Sequence, residues 1–230
     1  MRPAKLKPPG RDARAREATS VERVMRELRG RIGRGLLLPG EQIRQEEMAE
    51  AFGVSRIPLR EALNILADQG LVEHHPNRGY FVAKRASEEL HQLFRMLEFL
   101  ERELCRSMEW PSKAELRELR KLNQAMAELV GAADWSPILA HNHAFHFLIF
   151  GLSHYRLILR EVERLWGMTD VYVAGKLALE EARVRTVEEH EQIVAALERH
   201  DHGGYFTLLD QHRASAPMAL PTLRVVPAGR

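Results

Sequence analysis

Two pairs of residues, each four positions apart, carry most of the chemistry legible in this 230-residue chain. Arg56 and Arg60 fall on one face of a helix through that stretch, separate from the apolar stripe Leu59, Ala62, Leu63 and Leu66. Guanidinium groups held that way can each make a bidentate contact to guanine O6 and N7 in a DNA major groove. The plainer reading of such a pair is a solvated helix face. Asn142 and His146 form the second pair, inside a segment otherwise built from Ile138, Leu139, Phe145, Leu148 and Ile149. Polar groups embedded in so apolar a helix face a core or a pocket rather than bulk water. His190 and His212 lie on later helical segments. Brought together, three imidazoles and one amide oxygen suit a divalent metal, zinc first, with nickel or manganese also possible. Taken singly, each histidine is more simply a satisfied core or surface residue.

The distribution of charge separates these two chemistries. Residues 1–85 hold 17 Lys and Arg against 11 Asp and Glu, whereas residues 86–230 hold 17 against 21. The net charge of +2 thus conceals a basic front and an acidic back, and nine of the eleven histidines lie in the back. A polyanion is a natural partner for the first part only. With 45% hydrophobic and 29% charged residues the chain can bury a substantial core. The single cysteine, Cys105, excludes an internal disulfide and a cysteine-based zinc cluster. No apolar run approaches the ~20 residues of a membrane span, and no apolar segment follows the basic N-terminus. The expectation is a soluble, cytoplasmic protein with no membrane partner.

The elements that must position these residues follow from periodicity and punctuation. Residues 1–18 are rich in Pro and Arg and poor in large apolar side chains, and are expected to form a disordered basic arm. Ser20 is the expected N-cap of a helix whose stripe is Val21, Val24, Leu28 and Ile32, ended by Gly33 and Gly35. A short helix over 44–52 and a second over about 55–69, capped by Ser55, come next. The runs Leu71–His74 and Tyr80–Ala83 around Pro76-Asn77-Arg78-Gly79 predict a β-hairpin. Helix, helix, tight turn, helix, hairpin is a winged helix-turn-helix, which presents its second motif helix to the major groove and lets the hairpin reach nearby backbone. Behind it, residues 87–109, 112–130, 136–152, 155–175, 180–199 and 204–219 predict six helices, with a Ser112-x-x-Glu115 capping box and a break at His202-Gly203-Gly204. The chain is therefore expected to be mainly α: a winged helix-turn-helix over 19–85, an all-α antiparallel bundle over 86–219, and a flexible tail over 220–230.

Pro39-Gly40-Glu41, the run FGVSRIPLREALNILADQGLV and the later RGYFV resemble the GntR family of bacterial transcription factors over residues 20–85. Arg95-x-x-Glu98, Asn142-x-x-Phe145-His146, His190 and His212 resemble the FCD effector domain of its FadR-like branch over about 87–215. The resemblance implies a homodimeric transcriptional regulator, a repressor, that binds a short palindromic operator and changes its DNA affinity with a small carboxylate metabolite. It assigns DNA contacts to Ser55, Arg56, Ile57, Arg60, Asn77, Arg78 and Gly79. It further implies metal ligation by Asn142, His146, His190 and His212, and a carboxylate clamp at Arg95, whose plain alternative is an ion pair with Glu98.

Three departures bear on the site. Ile57 stands where the family has Thr, trading a hydroxyl for a methyl contact suited to thymine. Asn142 stands where a metal-binding FCD domain has Asp, which removes a negative charge. Ser153-His154-Tyr155 replaces the usual Ser-Gly-Asn turn. Two other classes compete: a metal-dependent enzyme, and a helical dimerisation module fused to a DNA-binding unit. His190-Glu191 begins like HExxH, but Val194 stands where the second histidine belongs, so that enzymatic signature fails.

Overall fold

The computed structural model describes residues 11–214, with side chains from Ser20 to Arg213. The chain forms two compact units. One takes in the chain up to Ile32 together with Leu36–Lys84, and the other takes in Gly33–Gly35 and the chain from Arg85 onward.

The first unit opens with α1 (Arg11–Gly33). Helix formation nine residues ahead of Ser20 corrects two expectations, because Ser20 lies inside the helix and part of the expected arm is helical. The physical reason is local: RDARAREA is made almost wholly of strong helix formers. Residues 1–10 of that arm lie outside the described residues. Val24 and Leu28 are fully buried, as the stripe requires. Next come β1 (Gln42–Ile43), α2 (Gln45–Phe52), α3 (Arg56–Asp68), β2 (Val72–His75) and β3 (Gly79–Val82). The expected hairpin is present, with Glu73 opposite Phe81 and His74 opposite Tyr80, but β1 adds a third strand against β3. Two residues are too few to show an alternating pattern, so β1 has no signature in sequence. Ile43, Tyr80 and Val82 of the sheet are buried, as are Leu59, Leu63 and Leu66 of α3, and the Tyr80 hydroxyl donates to Asn64 Oδ1 of that helix.

The second unit holds α4 (Ser87–Ser107), α5 (Lys113–Glu128), α6 (Pro137–Phe150), α7 (Arg156–Leu177), α8 (Glu180–Glu198) and α9 (His202–Ala214). The Ser112 capping box forms, with the Ser112 N–H donating to Glu115 at 2.7 Å and the Glu115 N–H to the Ser112 hydroxyl at 3.3 Å. The break expected at His202-Gly203-Gly204 is instead the first turn of α9. Asp201 accepts the Gly204 N–H at 2.9 Å, and a side chain at Gly204 would collide with that carboxylate. Residues 215–219 of the last expected helix and the 220–230 tail lie outside the described residues. The core includes a large apolar cluster with Leu104, Leu119, Phe145, Ile149, Val162, Val194 and Tyr205, and a smaller one of Met126, Ile138 and Leu177. No described helix is long and apolar enough to cross a membrane.

Candidate nucleic-acid interface and metal centre

In the first unit, α3 buries Pro58, Leu59, Ala62, Leu63 and Leu66 and leaves Arg56, Ile57 and Arg60 on its exposed face. Ile57 is 62% exposed. Arg56 reaches Glu46 of α2 at 2.6 Å, whereas Arg60 has no ion pair among the described residues. Both guanidinium groups, with Ile57, His74 and Gly79, line one shallow depression between α2, α3 and the hairpin. Ser55 has the extended backbone of an N-cap, but its hydroxyl makes no capping bond, which corrects the expected side-chain cap. Ser55 is exposed, as is Arg56 beside it.

The hairpin tip is held firmly. Asn77 and Gly79 both adopt positive φ, 63° and 91°, which amides and glycine tolerate best. The Arg78 N–H donates to His75 O at 3.0 Å, and Gln42 Nε2 donates to Arg78 O at 2.7 Å. The Arg78 guanidinium stacks 5.2 Å from the Phe81 ring centre, which keeps the charge at the tip of the wing.

In the second unit, α6, α8 and α9 converge three imidazoles. His146 Nε2 lies 3.2 Å from His190 Nε2 and 3.1 Å from His212 Nε2. All three ligand atoms fall within 4.8 Å of one another. His190 is fully buried with its ring stacked on Phe145, centroids 3.9 Å apart. His146 and His190 are both pushed well below the ordinary imidazole pKa, chiefly by burial and then by the neighbouring charges of His212, Lys176 and, for His146, Arg213. They are held neutral, the state in which imidazole binds metal. His212 Nδ1 lies 2.6 Å from Glu189 Oε2, a carboxylate that fixes the ring so that Nε2 faces the other two.

This donor set fits a divalent metal. Three facing Nε2 atoms cannot satisfy one another, because an imidazole nitrogen either donates or accepts, whereas one cation satisfies all three lone pairs. Asn142, one helical turn before His146, is buried and lines the same cavity. The cavity, of about 330 Å³, also reaches Arg95, His91, Lys176 and Arg213. Arg95 is engaged by Glu98 at 2.6 Å and lies 4.9 Å from the Phe99 ring centre, so the ion pair and the cavity wall coexist at this residue.

Sequence reasoning passed over Glu189 and Arg213. An acidic residue beside a histidine carries no signal until its partner 23 positions away is brought across to it. His143 is half-buried and stacked on Phe147 with centroids 4.1 Å apart. Its ring shares the Trp166 environment that the core of α6 creates.

Comparisons with known proteins follow the same division. The model described as bacterial regulatory proteins of the gntR family matches residues 20–82, and that of the FCD domain matches residues 92–215. The HTH-type transcriptional regulator YdhC of Bacillus subtilis is 28% identical over 143 residues, 60% of this chain and 63% of that one. The Nta operon transcriptional regulator of Aminobacter aminovorans is 32% identical over 128 residues, 55% of this chain and 60% of that one. The chain thus spans less than two thirds of either relative. McbR of Escherichia coli is 26% identical over 190 residues, covering 79% of this chain and 83% of that one. Its solved structure superposes with a TM-score of 0.76 at 22% identity, over 85% of this chain and 93% of that one.

Proposed function

The chain belongs to the GntR family of bacterial regulators, with an FCD domain behind its helix-turn-helix, and from that premise we propose that it is a homodimeric, cytoplasmic repressor released from a palindromic operator by a small carboxylate. The transcriptional regulators it matches place it apart from metal-dependent enzymes. The observation that carries the reading is the outward Arg56–Arg60 face of α3, which has cations where a major groove offers guanine acceptors. Ile57 between them suits a thymine methyl, while Ser55, Asn77, Arg78 and Gly79 provide donors and a close backbone approach for phosphates.

The helical unit supplies the control. Asn142, His146, His190 and His212 would hold a divalent ion, zinc being the best match to three imidazoles and an oxygen. When bound, the ion offers a positive centre for an organic anion. The chain's own residues shape what reaches it: Glu189 orients His212, Trp166 and Val173 exclude water, and Lys176 adds positive charge to the wall. A palindromic operator requires a two-fold protein, which is the argument for a homodimer.

The test is selection of operators from a random duplex pool with the intact protein, followed by affinity measurements with and without zinc plus sodium acetate. A palindromic consensus, bound at least about fivefold differently in the two conditions, supports the reading, that being the lower end of typical allosteric coupling. An unsymmetrical consensus counts against the dimer, and identical affinities count against the control.

A further inference from the structure

The cavity of the helical unit contains a second arginine whose surroundings differ from those of Arg95. Arg213 of α9 donates from Nε to Glu101 Oε2 at 2.7 Å. The other Glu101 oxygen accepts from Trp166 Nε1 at 2.5 Å, so this buried carboxylate is fixed from two sides and in turn fixes the guanidinium. The remaining nitrogens, Nη1 and Nη2, are buried and have no hydrogen-bond partner. Asp210 Oδ1 stands 3.6 Å from Nη1, beyond hydrogen-bonding distance, and both Asp210 oxygens accept from Arg102 at 2.9 Å. Buried donors left unmet are costly unless something meets them, and an anion in the cavity does so. Arg95, by contrast, is half-exposed and already held by Glu98.

We propose that Arg213, not Arg95, is the residue that takes the effector's carboxylate, and that the rest of the effector is apolar: a small aliphatic or aromatic acid. Three observations combine here. The guanidinium is pre-oriented by Glu101 and Trp166, which lowers the entropy lost on binding. Its sequence neighbour His212 belongs to the imidazole cluster, so one helix turn presents the guanidinium beside a side chain that would hold the cation. The wall beyond them carries Phe94, Leu97, Val173, Leu177 and Leu209, a mainly apolar surface for a ligand body, with Thr169, Lys176 and Thr186 as its polar members. The proposal rests on the helical unit being an effector domain and specifies what that domain recognises.

The full-length protein as purified is titrated calorimetrically with sodium benzoate, sodium hexanoate and, as an uncharged analogue, benzyl alcohol. The expected result is binding of both carboxylates and weaker binding of the alcohol. Arg213→Met should weaken benzoate roughly tenfold or more, the worth of a charge-assisted hydrogen bond, while Arg95→Met leaves it near wild type. The double variant Arg213→Met/Glu101→Gln removes the ion pair as a unit, so that no buried carboxylate is left unpaired, and should lose benzoate equally. Unchanged benzoate affinity in either Arg213 variant, loss in Arg95→Met instead, equal binding of the alcohol, or no carboxylate binding by the wild type each overturns the assignment. Benzoate held through Arg213 with no effect on operator affinity would leave the anchor standing and remove the effector role on which the proposed function depends.

Discussion

His212 Nδ1 lies 2.6 Å from Glu189 Oε2, and that contact decides which edge of the imidazole faces His146. A carboxylate only accepts, so Nδ1 donates to it and Nε2 is turned toward the cluster. Glu189→Gln keeps the shape but weakens that orientation. Metal affinity should fall about 10–100-fold, the usual effect of losing such an outer partner. Competition titration against a chromogenic zinc chelator measures it, and unchanged affinity would remove Glu189 from the site.

Asn142 stands beside His146 without a negative charge. Asn142→Asp should tighten zinc binding, because a carboxylate adds Coulomb attraction that an amide lacks, and His190→Ala should weaken it. The same chelator competition reports both. Equal affinity for wild type and Asn142→Asp would show that the side chain at this position does not ligate.

Burial holds His146 and His190 well below the ordinary imidazole pKa. Between their depressed folded values and the unfolded value near 6.5, the unfolded chain binds more protons than the native one. Stability of the metal-free protein therefore rises with pH toward neutrality and is lost as pH falls through about 6.5, by up to ~1.4 kcal/mol per pH unit for each histidine. Denaturant unfolding between pH 5 and pH 7, with and without His146→Phe, is the check (about this range the imidazole of an unfolded chain titrates). A wild-type slope no steeper than the variant's would contradict it.

The buried Cys105 thiol accepts from Tyr205 Oη at 3.0 Å, and burial pushes its pKa up to about 11. It should resist thiol reagents in the native state and react on unfolding, since the thiolate is the reactive form. Labelling rates followed across a denaturant titration should track the unfolded fraction. Rapid native-state labelling would mean that the α4–α9 contact opens readily.

Much of this architecture is written in local pattern. The stripe of α3 sets both its buried and its exposed face, so Leu59 and Leu63 going inward necessarily sends Arg56 and Arg60 outward. The Ser112–Glu115 capping box is equally local and forms as expected. What escaped sequence is what depends on distant partners. Glu189 has no meaning without His212, the Arg213 donors none without Glu101 and Trp166, and β1 none without β3. Two errors came from reading single residues as punctuation. Ser20 yields to a run of Ala, Arg and Glu before it, and Gly204 falls inside the first turn of α9, where the Asp201 carboxylate accepts its N–H.

The most direct measurement of the central claim is a fluorescence anisotropy titration of a selected operator with wild type and with the Arg56→Ala/Arg60→Ala double variant at one fixed salt concentration. Each arginine that reads guanine contributes about 1–3 kcal/mol of discrimination, so the double variant should bind at least tenfold more weakly. Its preference for operator over random duplex should fall with it, while its circular dichroism spectrum stays unchanged. Operator affinity and preference equal to wild type in the folded double variant would contradict the account.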